Sequence, residues 1–302
     1  MTRVAALTLA LASTLGSCGT KDAGSRPPGP TAAAPALPAP APPAPALPAP
    51  VVATRALELP MAPRAVGTRW VTTDDVQSTL LIHVAADELR TIDSTQHKVD
   101  DLEVVELDAA GLVAKVRAHY PERTATDRQG TETQARVSPL AGKTYLAWSK
   151  GGALEATHAD GSAVTADELE DLHESLDDDL GKPQVVHQTL ASRAWTIGET
   201  YAFTADDLAR LAAASGKRSK AAAMTLTLHD VTGGAATFGI TSSVAIAGKA
   251  ELTAELSGSV TIDVATGRPV ALSLAGPVKG TVLGKAVTGT MSGTTSYAYP
   301  AR

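Results

Sequence analysis

The single cysteine of the 302-residue chain, Cys18, is the residue whose position says most about its chemistry. It has no second cysteine to pair with, so no disulfide can form within the chain. The residues before it hold a basic Arg3 and then the apolar stretch VAALTLALASTLG, which is too short to span a bilayer as a stable helix. This layout is typical of a secretory signal peptide. We therefore interpret residues 1–17 as a signal that brings the Cys18 thiol to a membrane face.

The four residues Leu15-Gly16-Ser17-Cys18 resemble the bacterial lipobox, in which a leucine and two small residues precede the cysteine. In such lipoproteins the thiol receives a diacylglyceryl group and the signal is cut in front of it. The resemblance implies that Cys18 is lipidated and joins the chain to membrane lipid, because two or three acyl chains anchor stably. Gly19, in place of aspartate, implies the outer membrane, with the folded region on the periplasmic side. The alternative is an ordinary signal peptide with a stray cysteine.

Three possible metal ligands, Glu170, His173 and Asp177, are spaced i, i+3, i+7 in the segment EDLHESLDDD. On a helix this spacing would place two carboxylates and an imidazole on one flank. The alternative is an acidic helix face in contact with water, which is far commoner than a three-ligand site without a second cluster. We treat these residues as a weak metal candidate and expect no metal or other cofactor.

No catalytic signature is recognisable elsewhere. The segment LAGKTY (140–145) resembles the end of a phosphate-binding loop, but Val137 stands where that motif needs its first glycine. The chain also lacks HExxH, GxSxG and SxxK motifs and a glycine-rich dinucleotide loop. Its formal net charge of −6 gives no electrostatic footprint for nucleic acid. The sequence therefore predicts a protein that is not an enzyme and does not bind nucleic acid.

A long linker separates the cysteine from the rest of the chain. Residues 26–50 read RPPGPTAAAPALPAPAPPAPALPAP, and proline closes both helix and sheet to such a segment. An extended polyproline II conformation is expected, with a reach of about 75 Å at roughly 3.1 Å per residue. We interpret residues 18–65 as a lipidated, disordered tether and residues 66–302 as the globular region.

Alternation of apolar and polar residues dominates the globular region. In AATFGITSSVAI (235–246) and ELTAELSGSVTIDV (251–264), every second residue is apolar, which predicts antiparallel strands with one solvated face. The turns VTGGA (231–235) and ATGR (265–268) place glycine where a hairpin requires it. The segments 100–120 and 143–161 predict two further hairpins. Strands of this length favour a large, curved sheet.

Two helices are predicted between the halves of this region. Thr165 and Glu168 form a capping box, followed by a stripe of leucines that ends before Gly181. The second helix, ADDLARLAAA, follows Thr204. The fold class is therefore mostly β with minor α: one large curved antiparallel sheet, or two similar β-meanders, with two helices between. Similar hairpin spacing also allows a duplication into 66–183 and 184–302.

A lipidated, tethered sheet with helices on one side resembles the half-barrel envelope proteins that include LolA, LolB and LppX-like lipid carriers. That resemblance implies a concave face that holds acyl chains beneath the helices. Two functions follow as hypotheses. The first is a structural or interaction role with an envelope protein partner, in which the apolar faces pack on each other and on the helices. The alternative is a binding module for a lipid or other apolar ligand.

Overall fold

The computed structural model describes residues 56–61, 64–85, 88–176, 179–214, 219–246 and 250–300. The signal peptide, Cys18 and most of the tether lie outside these residues. All described elements thus fall within the interpreted globular region and the end of the tether. None of the described helices is long and apolar enough to cross a membrane.

Short helices accompany many long strands in the described residues. The strands are β1 (Leu57–Glu58), β2 (Arg69–Ala85), β3 (Glu88–Leu107), β4 (Val113–Gln129), β5 (Glu132–Val137), β6 (Lys143–Lys150), β7 (Ala153–His158), β8 (Ala194–Trp195), β9 (Thr200–Ala202), β10 (Ser219–Thr232), β11 (Ala235–Ile246), β12 (Ala250–Asp263), β13 (Pro269–Val282) and β14 (Lys285–Ala298). The helices are α1 (Ala166–Leu176), α2 (Val185–Ala191) and α3 (Ala205–Ala214).

One antiparallel sheet of twelve strands contains both halves of the chain. Its order is β7-β6-β4-β3-β2-β14-β13-β12-β11-β10-β9, with β5 added beside β4. The halves meet where β14 pairs with β2, from Val287 opposite Ile82 to Ala298 opposite Val71. The prediction of a mostly β protein with a large antiparallel sheet is confirmed, and the two meanders are parts of that one sheet. The proposed duplication stays a prediction.

In the C-terminal strands, the apolar side chains of the alternating pattern are buried and most of the polar ones are not, as predicted. On β11, Ala236, Phe238, Ile240 and Val244 are buried, while Thr241 is exposed. The buried side chains of β10 to β14 pack with α2, α3 and the Ile82 end of β2 into one cluster, the large core. A second cluster, the small core, lies between β3, β4, β6 and α1 and contains Leu102, Tyr120 and Leu172. The inner face of the sheet therefore carries two separate apolar regions.

A band of buried polar side chains lies between the two cores. Along β2, Trp70 belongs to the small core and Val76 to the large core, and Thr72 and Asp74 stand between them on the same face. We call this the polar band; its members are Thr72, Asp74, Asp100, Arg123 and Thr295. Burying a polar group costs free energy unless the group is hydrogen-bonded. The Thr295 hydroxyl, for example, donates to Asp74 Oδ1 at 2.6 Å.

The sequence predicts two helices, and the described residues contain three. The two predicted helices, α1 and α3, begin where the capping threonines predict. The additional helix, α2, lacks a capping side chain at Gln184 and contains β-branched residues that disfavour helix. Burial explains why it forms, because Val185, Val186 and Leu190 are each at most 3% exposed in the large core. Tertiary packing here outweighs local propensity.

Candidate functional site

The candidate site is a groove over the polar band, with a cavity of about 200 Å³. Its floor comes from β3 and β4, and its sides come from β5, the segment after it, and α1. We call it the inner groove; it is lined by Gln96, Lys98, Arg123, Thr124, Ala125, Arg136, Val137, Ser138, Pro139, Asp171 and Glu174. The sheet brings charged groups of both signs together here, at a place where its inner face is not covered by apolar side chains.

Arg123 forms the fixed part of this groove. Its guanidinium donates to both carboxylate oxygens of Asp100 at 2.9 Å and to the Ser175 hydroxyl at 2.7 Å. The same group stacks 4.4 Å from the ring centroid of Tyr120. Arg123 and Asp100 are only 4% and 1% exposed, so this is a buried, hydrogen-bonded ion pair. It joins β3 and β4 to α1 and holds the groove floor in place.

Lys98 is the charged group of the groove whose pKa the fold shifts most clearly. It lies opposite Asp74 on β2 and opposite Arg123 on β4, so all three share the inner face. Burial lowers the pKa of the Lys98 ammonium, and the charge of Arg123 lowers it further, against the opposite effect of Glu174, Asp100 and Asp74. Within the described residues its ammonium makes no direct ion pair. A lysine in this setting carries a charge that the fold does not fully compensate.

We expect Lys98→Met to stabilise the protein at neutral pH by roughly 1 kcal/mol, because it removes a poorly compensated ammonium and keeps the aliphatic stem. A lysine whose pKa is lowered in the folded state binds a proton more readily when unfolded. The lysine therefore costs stability below its unfolded pKa of about 10.5, and that cost disappears above it. Urea unfolding of both proteins at pH 7 and near pH 10.5 should show a gain that shrinks with rising pH. A loss of stability at pH 7 would contradict this account of Lys98.

The structure places two of the three metal-candidate residues on the solvent side of α1. Glu170 and His173 are both exposed, and Asp177 lies outside the described residues. No group of three metal-ligating side chains occurs in the described parts of the chain. The two carboxylates of the same helix that do face the inner groove are Asp171 and Glu174. The weak metal candidate therefore stays a prediction.

The segment that resembles a phosphate-binding loop has a structural role. Lys143 begins strand β6, not a helix, and its ammonium donates to Glu168 Oε1 at 2.7 Å. The groove residues Lys98 and Arg123 had no sequence signal of their own. The available signal was indirect: in DSTQHKVDD (93–101), polar residues occupy positions that face inward once the strand is recognised. Because polar side chains occupy inner positions, the sequence shows no apolar–polar alternation here, and neither the strand nor the groove could be predicted.

Comparisons with known proteins identify no family, because no family model and no curated protein matches the chain. Among solved structures, lipovitellin is similar with a TM-score of 0.39 and 6% identity, over 79% of this chain and 26% of that one. The S-type phycobiliprotein lyase CPES from Guillardia theta has a TM-score of 0.18 and 11% identity, over 79% and 90% of the two chains. A porin of Rhodopseudomonas blastica has a TM-score of 0.21 and 9% identity, over 76% and 100%. These scores are too low to establish a common fold.

Proposed function

We propose that this protein is a membrane-anchored lipoprotein of the bacterial envelope that acts by contact with a partner protein. Acylated Cys18 would hold it at the outer membrane, and the proline-rich tether would extend the sheet into the periplasm. The proposal assigns the protein no catalytic role. In this proposal the sheet is a scaffold, and the inner groove is the candidate contact surface for the partner.

The observation that carries this proposal is the filled inner face of the sheet. Leu226, Phe238 and Val260 on strands β10, β11 and β12 are 0% exposed, and the large core continues across β13 and β14 to the Ile82 end of β2. Ring packing adds to this closure, with Trp195 and Phe238 in an edge-to-face pair at 4.9 Å. An acyl chain could enter only by displacing packed side chains or helices α2 and α3. This favours packing of the apolar faces on the helices over a lipid-binding cavity.

The inner groove suits a partner that presents polar or charged groups. Lys98 and Glu174 offer opposite charges within one cavity, and Val137 at its rim is 68% exposed. Interfaces commonly combine such an apolar rim residue with a few directed polar contacts. Arg123 and Asp100 neutralise each other, so the charges left for a partner are those of Lys98 and Glu174.

We expect the chain from Gly19 to Arg302, which contains every described element, to purify without bound lipid and to take up no fatty acid in native mass spectrometry. In cells, a photo-crosslinking residue at Val137 should give a discrete protein adduct. The same residue at Lys279, exposed on β13, is the matched control and should give none.

Anchoring is tested separately from partner contact. The wild-type chain should incorporate alkyne-labelled palmitate and sediment with membranes, and Cys18→Ser should do neither. One tightly held lipid per chain in the mass spectrum would instead favour the alternative function, a module for an apolar ligand. An unlabelled wild-type chain in the soluble fraction would contradict the proposed localisation at the membrane.

A further inference from the structure

A second cavity, of about 50 Å³, lies away from the inner groove. It is enclosed by the segment before β2, helix α2, the turn between β12 and β13, and the end of β14. We call it the junction pocket, and the residues that matter in it are Arg64, Trp70, Gln184, His187, Arg268 and Tyr299. Since about 10–15 Å³ of such space holds one water molecule, this cavity suits a compact group of few heavy atoms.

Two guanidinium groups border the pocket, and they differ in how they are satisfied. Arg64 stacks 4.2 Å from the Trp70 ring centroid and forms a 2.7 Å ion pair with Asp179. Arg268 stacks 4.8 Å from the Tyr299 ring centroid, and its guanidinium has no ion pair or hydrogen bond to any described side chain. Of the two guanidinium groups at the pocket, Arg64 is therefore ion-paired, and Arg268 is not paired with a described carboxylate.

His187 adds a buried donor to the same wall. The side chain is 6% exposed. When the Gln184 amide is oriented so that its oxygen accepts from Arg64 Nε at 3.0 Å, its nitrogen faces His187 Nδ1 at 3.3 Å. Nδ1 is then the acceptor, and the ring proton sits on Nε2. The acceptor beside the ring is the Pro60 carbonyl, which raises the pKa of His187, but Nε2 makes no hydrogen bond of good geometry within the described residues.

The side chains of His187 and Tyr299 are both neutral hydrogen-bond donors at neutral pH. Burial is the main cause that lowers the pKa of His187 to about 4, so its ring is neutral. Burial likewise raises the pKa of Tyr299 to about 12, so its phenol can donate. The carboxylate influenced by Arg268, Asp263, already accepts two hydrogen bonds from Thr266, at 2.8 and 2.6 Å. The two carboxylates that act on this pocket, Asp179 and Asp263, are therefore already hydrogen-bonded, and Arg268 is not paired with either.

We propose that the junction pocket binds a compact oxyanion, a phosphate or carboxylate group, through the Arg268 guanidinium, His187 Nε2 and the Tyr299 hydroxyl. The planar guanidinium fork matches two oxygens of such a group, and an ionised acceptor shortens and strengthens each hydrogen bond. A bound anion would also satisfy the buried Nε2 donor. The group can come from a free ion or from the headgroup of an anionic phospholipid.

The test is a calorimetric titration of the Gly19–Arg302 chain with sodium phosphate against sodium chloride of equal ionic strength. We expect saturable binding with a Kd of about 1 mM and a shift of the His187 Nε2 nitrogen resonance. Arg268→Ala should weaken binding about tenfold or more, and Arg268→Lys less, since it keeps the charge without the fork. Arg128→Ala, an exposed arginine on β4, is the matched control and should stay within about twofold.

Two further probes distinguish the source of the anion. Sodium acetate tests a free carboxylate, and vesicles with and without phosphatidylglycerol test a lipid headgroup. The proposal is supported if phosphate, acetate or the anionic vesicles bind and Arg268→Ala weakens that binding. The probe that shows this loss identifies the source of the anion. Should none of the three bind, or should Arg268→Ala and Arg128→Ala bind alike while thermal unfolding shows both folded, the junction pocket is not an anion site.

Discussion

Replacing Arg123 by alanine should lower the free energy of unfolding by about 3–5 kcal/mol, because it removes the guanidinium that balances the charge of the buried Asp100 carboxylate. Asp100 is 1% exposed and accepts two hydrogen bonds from one nitrogen of Arg123 at 2.9 Å and a third from Arg123 Nε at 3.0 Å. The substitution also removes the stacking on Tyr120 and the hydrogen bond to Ser175 of α1. Urea unfolding at pH 7, followed by circular dichroism, measures the loss.

The matched control is Arg117→Ala on the same strand. Arg117 also pairs with a carboxylate of β3, Glu103 at 2.7 Å, but both side chains are exposed to water. An exposed pair contributes about 1 kcal/mol or less, so the two variants should differ severalfold. A double variant, Arg123→Met with Asp100→Leu, should recover much of the stability, because no unpaired charge remains. Equal losses for Arg123→Ala and Arg117→Ala would show that the polar band does not stabilise the sheet.

The C-terminal half of the fold could be predicted because its strands alternate without interruption. On β12, Leu252, Ala254 and Leu256 face the large core and the residues between them do not, which is the pattern that the period of a strand requires. The β2 and β3 strands obey the same geometry but carry Asp74 and Asp100 at inner positions. In these two strands the polarity of a side chain does not indicate whether it faces the core or the solvent. Residues 69–99 therefore show no clear strand pattern in the sequence.

The distance in sequence between partners decided which parts of the site could be anticipated. Thr165 and Glu168 are three residues apart, so their reciprocal hydrogen bonds follow from local helix geometry. Thr295 and Asp74 are 221 residues apart and meet only because β14 pairs with β2. A single sequence does not encode that pairing in any local pattern.

Replacing Glu168 by alanine should destabilise the protein by about 2–4 kcal/mol. The 2% exposed carboxylate of Glu168 closes the capping box by accepting from the Thr165 backbone N–H at 2.8 Å. It also accepts from Lys143 Nζ at 2.7 Å and from the Tyr145 hydroxyl at 3.0 Å. The substitution removes a helix cap and leaves a buried tyrosine hydroxyl unpaired, and each of these changes costs about 1 kcal/mol or more.

The pH dependence separates the charge of Glu168 from its bulk. Burial by itself would raise the pKa of this carboxyl, but the hydrogen bonds from Lys143, Thr165 and Tyr145 outweigh burial and lower it to about 2. A carboxylate with a lowered folded-state pKa stabilises the protein above its unfolded pKa of about 4.5, and this stabilisation is lost as the pH falls from 4.5 to 2. The difference in unfolding free energy between wild type and Glu168→Gln should therefore be full at pH 7 and should shrink below pH 4.5.

Asp167→Ala provides the control for Glu168, because Asp167 is an exposed acid in the same first turn of α1. Its carboxylate interacts favourably with the helix dipole, so its removal should cost about 0.3–1 kcal/mol. Urea unfolding of all three variants at pH 7, 4 and 2.5 compares them directly. If Glu168→Gln lost as little stability as Asp167→Ala, or kept a constant deficit down to pH 2.5, the ionised Glu168 would not be what joins α1 to strand β6.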